Sequence, residues 1–381
     1  METGPDTATG LYDVKRLARR LGVKTSTIRS MKARGTIPPP TSNDINGGAV
    51  WSADTINQFL SVDKTKINAP LTKSSNRKLP RIIDLFSGCG GMSLGFSNAG
   101  FEVIAGFDNW EDAVITYNNN FGHSAYNLDL DDLEGAIKRL SPFFVDECPA
   151  IIGGPPCQDF SSAGKRKEGD RADLTEKFAL IVAHFKPPFF VMENVDRAEK
   201  SNAFMQAKKI FSDAGYFVEQ IVLNASYCGV PQRRKRLFTF GGFSAEKTKE
   251  LLLALKNNQS STETTIRDYF GETLGTQYYY RHPRSYARRA IFSIDEPSPT
   301  IRGVNRPIPE GYPGHRGDAG PIEEARPLTT HERAEIQTFP KNFVFEGSKT
   351  TVEQMIGNAV PVNMANYVAK AIIRSRLWIS D

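Results

Sequence analysis

Three short stretches of the chain carry side chains able to do chemistry at carbon. Gly153-Gly154-Pro155-Pro156-Cys157-Gln158 follows the apolar run Ala150-Ile151-Ile152. Two successive prolines can continue neither a strand ladder nor a helix interior, so they fix a rigid loop with Cys157 at its tip. A cysteine held this way beside a ligand site is a candidate nucleophile, acting as the thiolate. Glu193 closes a second apolar run, Phe189-Phe190-Val191-Met192. A carboxyl partly buried beside a nucleophile has its pKa raised and can act as an acid; the plainer alternative is a strand-end cap. In Gln232-Arg233-Arg234-Lys235-Arg236 an extended backbone puts Gln232, Arg234 and Arg236 on one face. The alternative is a solvated basic run.

A fourth stretch is built to hold a ligand. Asp84-Leu85-Phe86-Ser87-Gly88-Cys89-Gly90-Gly91 lies between an expected strand, Ile82–Leu85, and an expected helix, Met92–Asn98. Its glycines allow tight turning and close backbone approach. Such a loop serves NAD, FAD or S-adenosylmethionine equally well, and it lacks the Gly-Lys-Ser/Thr of a triphosphate-binding loop. Asp108, after the next apolar run, either takes the ribose hydroxyls of an adenosine ligand or caps the following helix. Asp129, after Tyr126-Asn127-Leu128, could reach an adenine amino group.

These stretches sit at the ends of short apolar segments that alternate with helical ones, at Ile82–Leu85, Val103–Gly106, Ala150–Gly153 and Phe189–Met192. That alternation predicts an α/β domain, a parallel sheet with crossover helices whose ligands bind at the carboxyl ends of the strands. Residues 81–242 form this domain, and helical patterns at 330–337 and 352–373 return the chain to it over 326–381. Residues 243–325 differ, being weakly periodic and rich in Pro, Gly, Tyr and Arg, with Tyr278-Tyr279-Tyr280-Arg281-His282 mixing aromatics and bases.

Residues 1–62 read as a separate module. Val14, Leu17, Ala18 and Leu21 recur at helical spacing, Gly22 breaks the helix, and Thr25–Lys32 starts another. Pro38–Pro40, Asn46-Gly47-Gly48 and Val50-Trp51 suggest a small wing, and Ala53–Leu60 a closing helix. Arg19, Arg20, Lys24, Arg29, Lys32 and Arg34 make the module basic. It resembles the winged helix-turn-helix of MerR-like and excisionase-like proteins; the alternative is a helical appendage packed on the main domain. Residues 63–80 read as a basic linker.

The whole chain has 381 residues, 39% of them hydrophobic, and a net charge of +5. The charge suits a polyanionic partner without requiring one. Its four cysteines form no Cys-x-x-Cys pair, which argues against a metal site and for a reducing cytosol. No stretch reaches membrane-span length, so the expectation is a cytoplasmic protein off the membrane.

Taken in order, the Asp84–Gly91 loop, Gly154-Pro155-Pro156-Cys157-Gln158, Glu193-Asn194-Val195, Gln232-x-Arg234-x-Arg236 and Gly357-Asn358-Ala359-Val360-Pro361 resemble the cytosine-C5 DNA methyltransferases of bacterial restriction–modification systems. The resemblance covers residues 81–380. It implies a Rossmann-like S-adenosylmethionine-dependent methyltransferase domain with a smaller target-recognition domain at 243–325. It also implies double-stranded DNA as substrate, a cognate restriction endonuclease as functional partner, and a monomer. Cys157 matches the catalytic cysteine, Glu193 the acid that engages the cytosine ring nitrogen, and Arg234 and Arg236 the pair ordering the active site. Phe86, Gly88, Gly90, Gly91, Asp108, Asp129, Pro155, Leu174 and Asn358 match the S-adenosyl-L-methionine shell. Residues 160–173 match the mobile loop that closes over DNA. Arg267, Arg281, Arg284 and Arg302 would be guanine readers or phosphate contacts. Two departures stand out: Asn109 follows Asp108 where an aromatic is usual, and Cys89 occupies the cofactor loop as a bystander.

Overall fold

The computed structural model describes residues 10–21, 25, 28–29, 32, 37, 39–45, 48–56, 79–156, 174–283, 285 and 287–380. The expectations for Gly22, Lys24, Met31, Arg34, Asn46-Gly47, most of the linker, Cys157, residues 160–173 and Arg284 lie outside them. The chain divides into two compact units, residues 1–69 and 70–381.

In the first unit, β1 (Leu11–Asp13), α1 (Val14–Leu21), β2 (Ser42–Ile45) and β3 (Gly48–Ser52) form one helix and an antiparallel sheet ordered β1-β3-β2. The helical spacing of its apolar residues explains α1: Leu17 and Ala18 face a small core with Tyr12, Ile28, Trp51 and Ile56, while Arg19 and Arg20 are exposed. Residues 25, 28–29, 32 and 53–56 are also helical. Strands β2 and β3 fall within the stretch read as a wing.

The second unit is built on a seven-stranded sheet. Its strands are β4 (Ile82–Leu85), β5 (Val103–Asp108), β6 (Ser124–Asn127), β7 (Ala150–Gly153), β8 (Phe189–Val195), β9 (Phe217–Asn224) and, after the short β10 (Gln232–Arg233), β11 (Lys235–Gly242). Their order is β6-β5-β4-β7-β8-β11-β9. The strands from β6 to β8 pair in parallel, whereas β11 runs antiparallel to both β8 and β9. The central strands are continuously apolar because both faces are covered. Successive side chains feed opposite layers: Ile82, Ile152 and Val191 enter one apolar cluster, and Ile83, Ile151 and Phe190 the other.

Helices α2 (Gly91–Ala99), α3 (Glu111–Asn120), α4 (Leu133–Leu140), α5 (Leu174–Phe185) and α6 (Asn202–Asp213) connect or cover these strands. The stretch from 243 opens with a regular helix, α7 (Ala245–Asn257), whose Leu251 and Leu255 join the first core cluster. Its amphipathic pattern was obscured by the irregular sequence that follows. That sequence holds α8 (Ile266–Phe270), β12 (Tyr278–Tyr280), β13 (Ile291–Ser293) and β14 (Ser298–Pro299); β15 (Ala325–Pro327) completes a small sheet ordered β13-β12-β15. Strand β14 pairs in parallel with β10, tying this region to the catalytic sheet's margin.

The chain ends in α9 (Thr330–Ile336), α10 (Lys349–Asn358) and α11 (Val362–Ser375). The helical pattern expected over 352–373 is therefore interrupted: Pro361 has no N–H to continue α10 and sits at the N-terminal boundary of α11. Among the described residues, no helix is long and apolar enough to cross a membrane, and no group of acidic, His or Cys side chains is placed to hold a metal ion.

Candidate active site

The carboxyl ends of β4, β5, β7 and β8 open into a cavity of about 620 Å³. One wall is the Gly-rich loop. Phe86, Gly88 and Gly90 all have left-handed backbones, with φ of 56°, 52° and 94°, a conformation that costs a non-glycine residue energy. Gly91 meets a different constraint: a Cβ there would lie 2.3 Å from the Val360 carbonyl oxygen. Only glycine lets the start of α2 approach the segment after α10.

Asp108, at the end of β5, secures the loop. Its Oδ2 accepts from the Gly88 N–H at 2.8 Å and its Oδ1 from the Trp110 N–H at 2.9 Å. Burial raises its pKa, and these backbone donors partly offset the rise. Asp108 thus does local backbone work and also lines the cavity. Asn109 and Trp110 both reach the cavity wall, so an aromatic is present one position later than usual. Two buried oxygens on this wall, Asp84 Oδ1 and Ser87 Oγ, have no hydrogen-bond partner among the described residues.

The opposite wall carries the charged groups. Glu193 on β8 pairs with Arg236 on β11, Nε to Oε1 at 2.8 Å. Burial raises the Glu193 pKa, against the lowering effect of the Arg236 and Arg234 charges. The Gly154 loop runs directly beside this carboxylate: a Cβ on Gly154 would sit 3.1 Å from Glu193 Oε2. Asn194 holds the same loop, donating from Nδ2 to the Pro155 carbonyl at 3.2 Å.

The alternating face read from the basic run is present. Gln232 and Arg234 are buried, Arg236 is half-buried, and Arg233 and Lys235 are exposed. Arg234 faces backbone rather than Glu193, donating to the carbonyls of Ile301, Gly357 and Ala359 at 3.2, 3.1 and 3.1 Å. Gln232 adds to this junction, accepting from the Ile301 N–H and donating to Gln337.

Phe86, Gly88, Gly91, Asp108, Asp129, Pro155, Leu174, Glu193, Arg234, Arg236 and Asn358 all line the one cavity. Gly90 does not; it turns beneath the loop against Phe121. Cys157 lies outside the described residues, and its neighbour Pro156 lines the cavity. Cys89 also reaches the lining, but burial pushes its thiol up to about 12, leaving it protonated and unreactive. Sequence reasoning missed Asp84, Ser87 and Asn194 as lining groups; each stood inside a quoted motif as a strand-end polar residue.

Three of the four arginines proposed as base or phosphate readers are engaged within the chain. Arg267 pairs with Asp295 and Glu272, Arg281 donates to the Thr300 carbonyl, and Arg302 donates to that of His282. Arg288, Arg306 and Arg316 are exposed instead.

A mostly parallel sheet with an antiparallel final pair and a cavity at its carboxyl ends is an α/β methyltransferase fold. Solved structures share it. A putative DNA modification methyltransferase from an E. coli prophage matches with a TM-score of 0.60 at 23% identity, over 78% of this chain and 99% of that one. The S. pombe Dnmt2 methyltransferase matches with a TM-score of 0.56 at 18% identity, over 78% and 99%. The description "C-5 cytosine-specific DNA methylase" matches residues 80–374, and the chain belongs to that family. The Type II methyltransferase M.HindV of Haemophilus influenzae is 54% identical over 296 residues, 77% of this chain and 96% of the relative. M.HgiDI of Herpetosiphon aurantiacus is 54% identical over 293 residues, 77% and 94%. The protein is a C-5 cytosine DNA methyltransferase; the family match begins beyond its N-terminal unit.

Proposed function

We propose that methylation proceeds through a covalent adduct between Cys157 and a cytosine flipped out of duplex DNA. Carbon 5 of cytosine is a poor nucleophile. Addition of the Cys157 thiolate to carbon 6 moves electron density onto carbon 5, and Glu193 donates to the ring nitrogen that takes up charge. Carbon 5 then accepts the methyl group, a base removes its proton, and the thiolate leaves. A free thiol, with pKa ~8.5, is only a few per cent ionised at neutral pH, and the positive charge of the arginines at the site would favour the thiolate. Flipping the base costs about a few kcal/mol. The observation that carries this reading is the contact between the Gly154 loop and the Glu193 carboxylate, which brings the proline loop and the acid to one wall.

S-adenosyl-L-methionine supplies the methyl group as an electrophilic sulfonium when bound. Phe86, Gly88, Gly91, Asp108, Asp129, Pro155, Leu174 and Asn358 are the residues assigned to hold it, with Gly90 turning the loop beneath them. The fit is supported by a wall that combines Phe86 and Trp110 with the carboxylates of Asp84, Asp108 and Asp129, and by the unpartnered Asp84 and Ser87 oxygens. Aromatic faces suit an adenine, and carboxylates suit hydroxyls and positive charge.

Recognition is assigned to residues 258–325, with Arg288, Arg306 and Arg316 as phosphate contacts; binding then weakens steeply with salt. The Type II relatives support a role in a restriction–modification system with a cognate endonuclease. The basic first unit is read as a helix-turn-helix DNA-binding module, supported by exposed Arg19, Arg20 and Arg29 around its small core. The enzyme is read as a cytoplasmic monomer.

Duplex DNA carrying 5-fluorocytosine at the methylated position tests the chemistry. With the methyl donor present, the adduct cannot collapse, and wild-type protein becomes covalently joined to DNA while Cys157→Ser does not. Absence of a joined product at a site the wild type methylates would end the proposal.

A further inference from the structure

A chain of short hydrogen bonds leaves the cavity beneath the Gly-rich loop. Ser93 Oγ donates to Asp84 Oδ2 at 2.6 Å, Tyr117 OH donates to Ser93 Oγ at 2.8 Å, and Tyr117 OH lies 2.7 Å from His123 Nε2. Asp84, Ser93 and Tyr117 are fully enclosed, and His123 is half-buried. The second Asp84 oxygen, Oδ1, is buried and has no hydrogen-bond partner among the described residues, and Asp84 lines the cavity. The slot for Tyr117 is cut by missing side chains. A Cβ on Gly106 would lie 3.0 Å from the Tyr117 ring, and one on Gly90 would lie 2.4 Å from the Phe121 ring that stacks on it.

Proton counting gives the chain a direction. Each hydroxyl has one hydrogen to donate. If Tyr117 gives its hydrogen to Ser93 and Ser93 gives its own to Asp84, the Tyr117 oxygen can only accept from His123, whose Nε2 must then carry hydrogen. All three donors then point toward Asp84, and aligned donors reinforce one another and stabilise a carboxylate. A proton on Asp84 Oδ2 would reverse every bond and leave Nε2 bare. Burial raises Asp84 to about 7 and lowers His123 to about 4, so His123 is neutral while Asp84 stands between its two states. Asp108 also faces Asp84 and raises it further; Glu193, Arg234 and Arg236 line the same cavity.

We propose that Ser93, Tyr117 and His123 are positioning residues for the methyl donor: their one-way chain holds Asp84 as a carboxylate whose free oxygen meets the donor's positive charge. This rests on the reading of the cavity as the S-adenosylmethionine site. Binding drives the chain into its forward sense, and the proton that Asp84 held passes to water.

Calorimetric titration of the full-length protein with S-adenosylmethionine, in buffers of differing ionisation enthalpy from about pH 6 to about pH 9, counts that proton. Wild type should bind more tightly as pH rises through the Asp84 value and release a proton below it. Tyr117→Phe removes the donor to Ser93 and breaks the chain behind the carboxylate, so affinity at neutral pH should fall about tenfold and its pH midpoint should move upward. His123→Gln, which keeps an N–H donor, should restore the midpoint; His123→Phe should not. If Tyr117→Phe fails to fold, Ser93→Ala and the His123 pair carry the same comparison. A uniform loss of affinity with an unmoved midpoint would mark a merely structural role and overturn the proposal. Wild-type binding without proton release would also overturn it while leaving the cofactor reading intact. No binding at all would remove both.

Discussion

Arg236 reaches Glu193 diagonally across two antiparallel strands, Nε to Oε1 at 2.8 Å, from a register in which Phe238 is the residue directly opposite Glu193. The diagonal spacing suits a long side chain on the same sheet face. Arg234, two residues earlier, turns instead to three carbonyls. The paired arginines of the basic run therefore divide the work: one faces the acid and the other fastens backbone.

Glu193→Gln keeps the shape of the side chain and removes its proton. Burial raises the Glu193 pKa, so the protonated acid persists to higher pH than in water and is lost as pH rises through that value. Wild-type turnover should fall where Glu193 loses its proton as pH rises through its raised value. The variant should be about 10²–10⁴-fold slower, with the alkaline fall absent. Steady-state rates on duplex DNA across pH check this; a retained alkaline fall would assign it to another group.

Arg234→Met fills similar volume but leaves the Ile301 and Gly357 carbonyls without the arginine donor, while the Ala359 carbonyl keeps only Gln337. Buried acceptors stripped of a partner cost about 1–3 kcal/mol each, softened here by relaxation, so a loss of about 2–4 kcal/mol is expected in urea unfolding. Arg234→Lys should recover only part, since one ammonium cannot reproduce the planar fork.

Gly357→Ala should be more damaging than its size suggests. The added methyl would lie 2.3 Å from the Gly303 nitrogen and 2.5 Å from the Arg302 carbonyl carbon, both backbone. Neither can rotate away, so the seam must open, at about 1–3 kcal/mol or more. Because Asn358 and Met355 line the cavity on the same helix, the Kd for S-adenosylmethionine should rise along with the loss of stability.

Arg333 and Glu353 form an ion pair with side chains only 5% and 3% exposed. Glu353 also accepts from Thr330 and Asn305, and Arg333 donates to the Arg302 carbonyl. Removing either partner alone, as Arg333→Leu or Glu353→Leu, should cost about 3–5 kcal/mol, because a buried charge is left uncompensated. The double variant should cost less than the two singles summed, and a double-mutant cycle in urea measures the difference.

The strands that bear the chemistry were legible because each is a short apolar run ending in polar residues, as at Ile82–Leu85 and Phe189–Val195. The motif residues met at one cavity because parallel strands place their carboxyl ends together. Partnerships across long separations were not legible. Nothing near Arg234 announces carbonyls at 301, 357 and 359, and Ser93, Tyr117 and His123 read as ordinary helix and loop residues. Helix α7 was lost for another reason: Leu251 and Leu255 signal an amphipathic helix only once the sheet they cover is known.

Parallel pairing of Gln232-Arg233 with Ser298-Pro299 has an evolutionary corollary. It staples both ends of the intervening excursion to the enzyme's frame. Between the paired segments, β11 and α7 belong to that frame, so only the stretch from 258 to 297 is free to diversify in length and composition while the reaction stays the same.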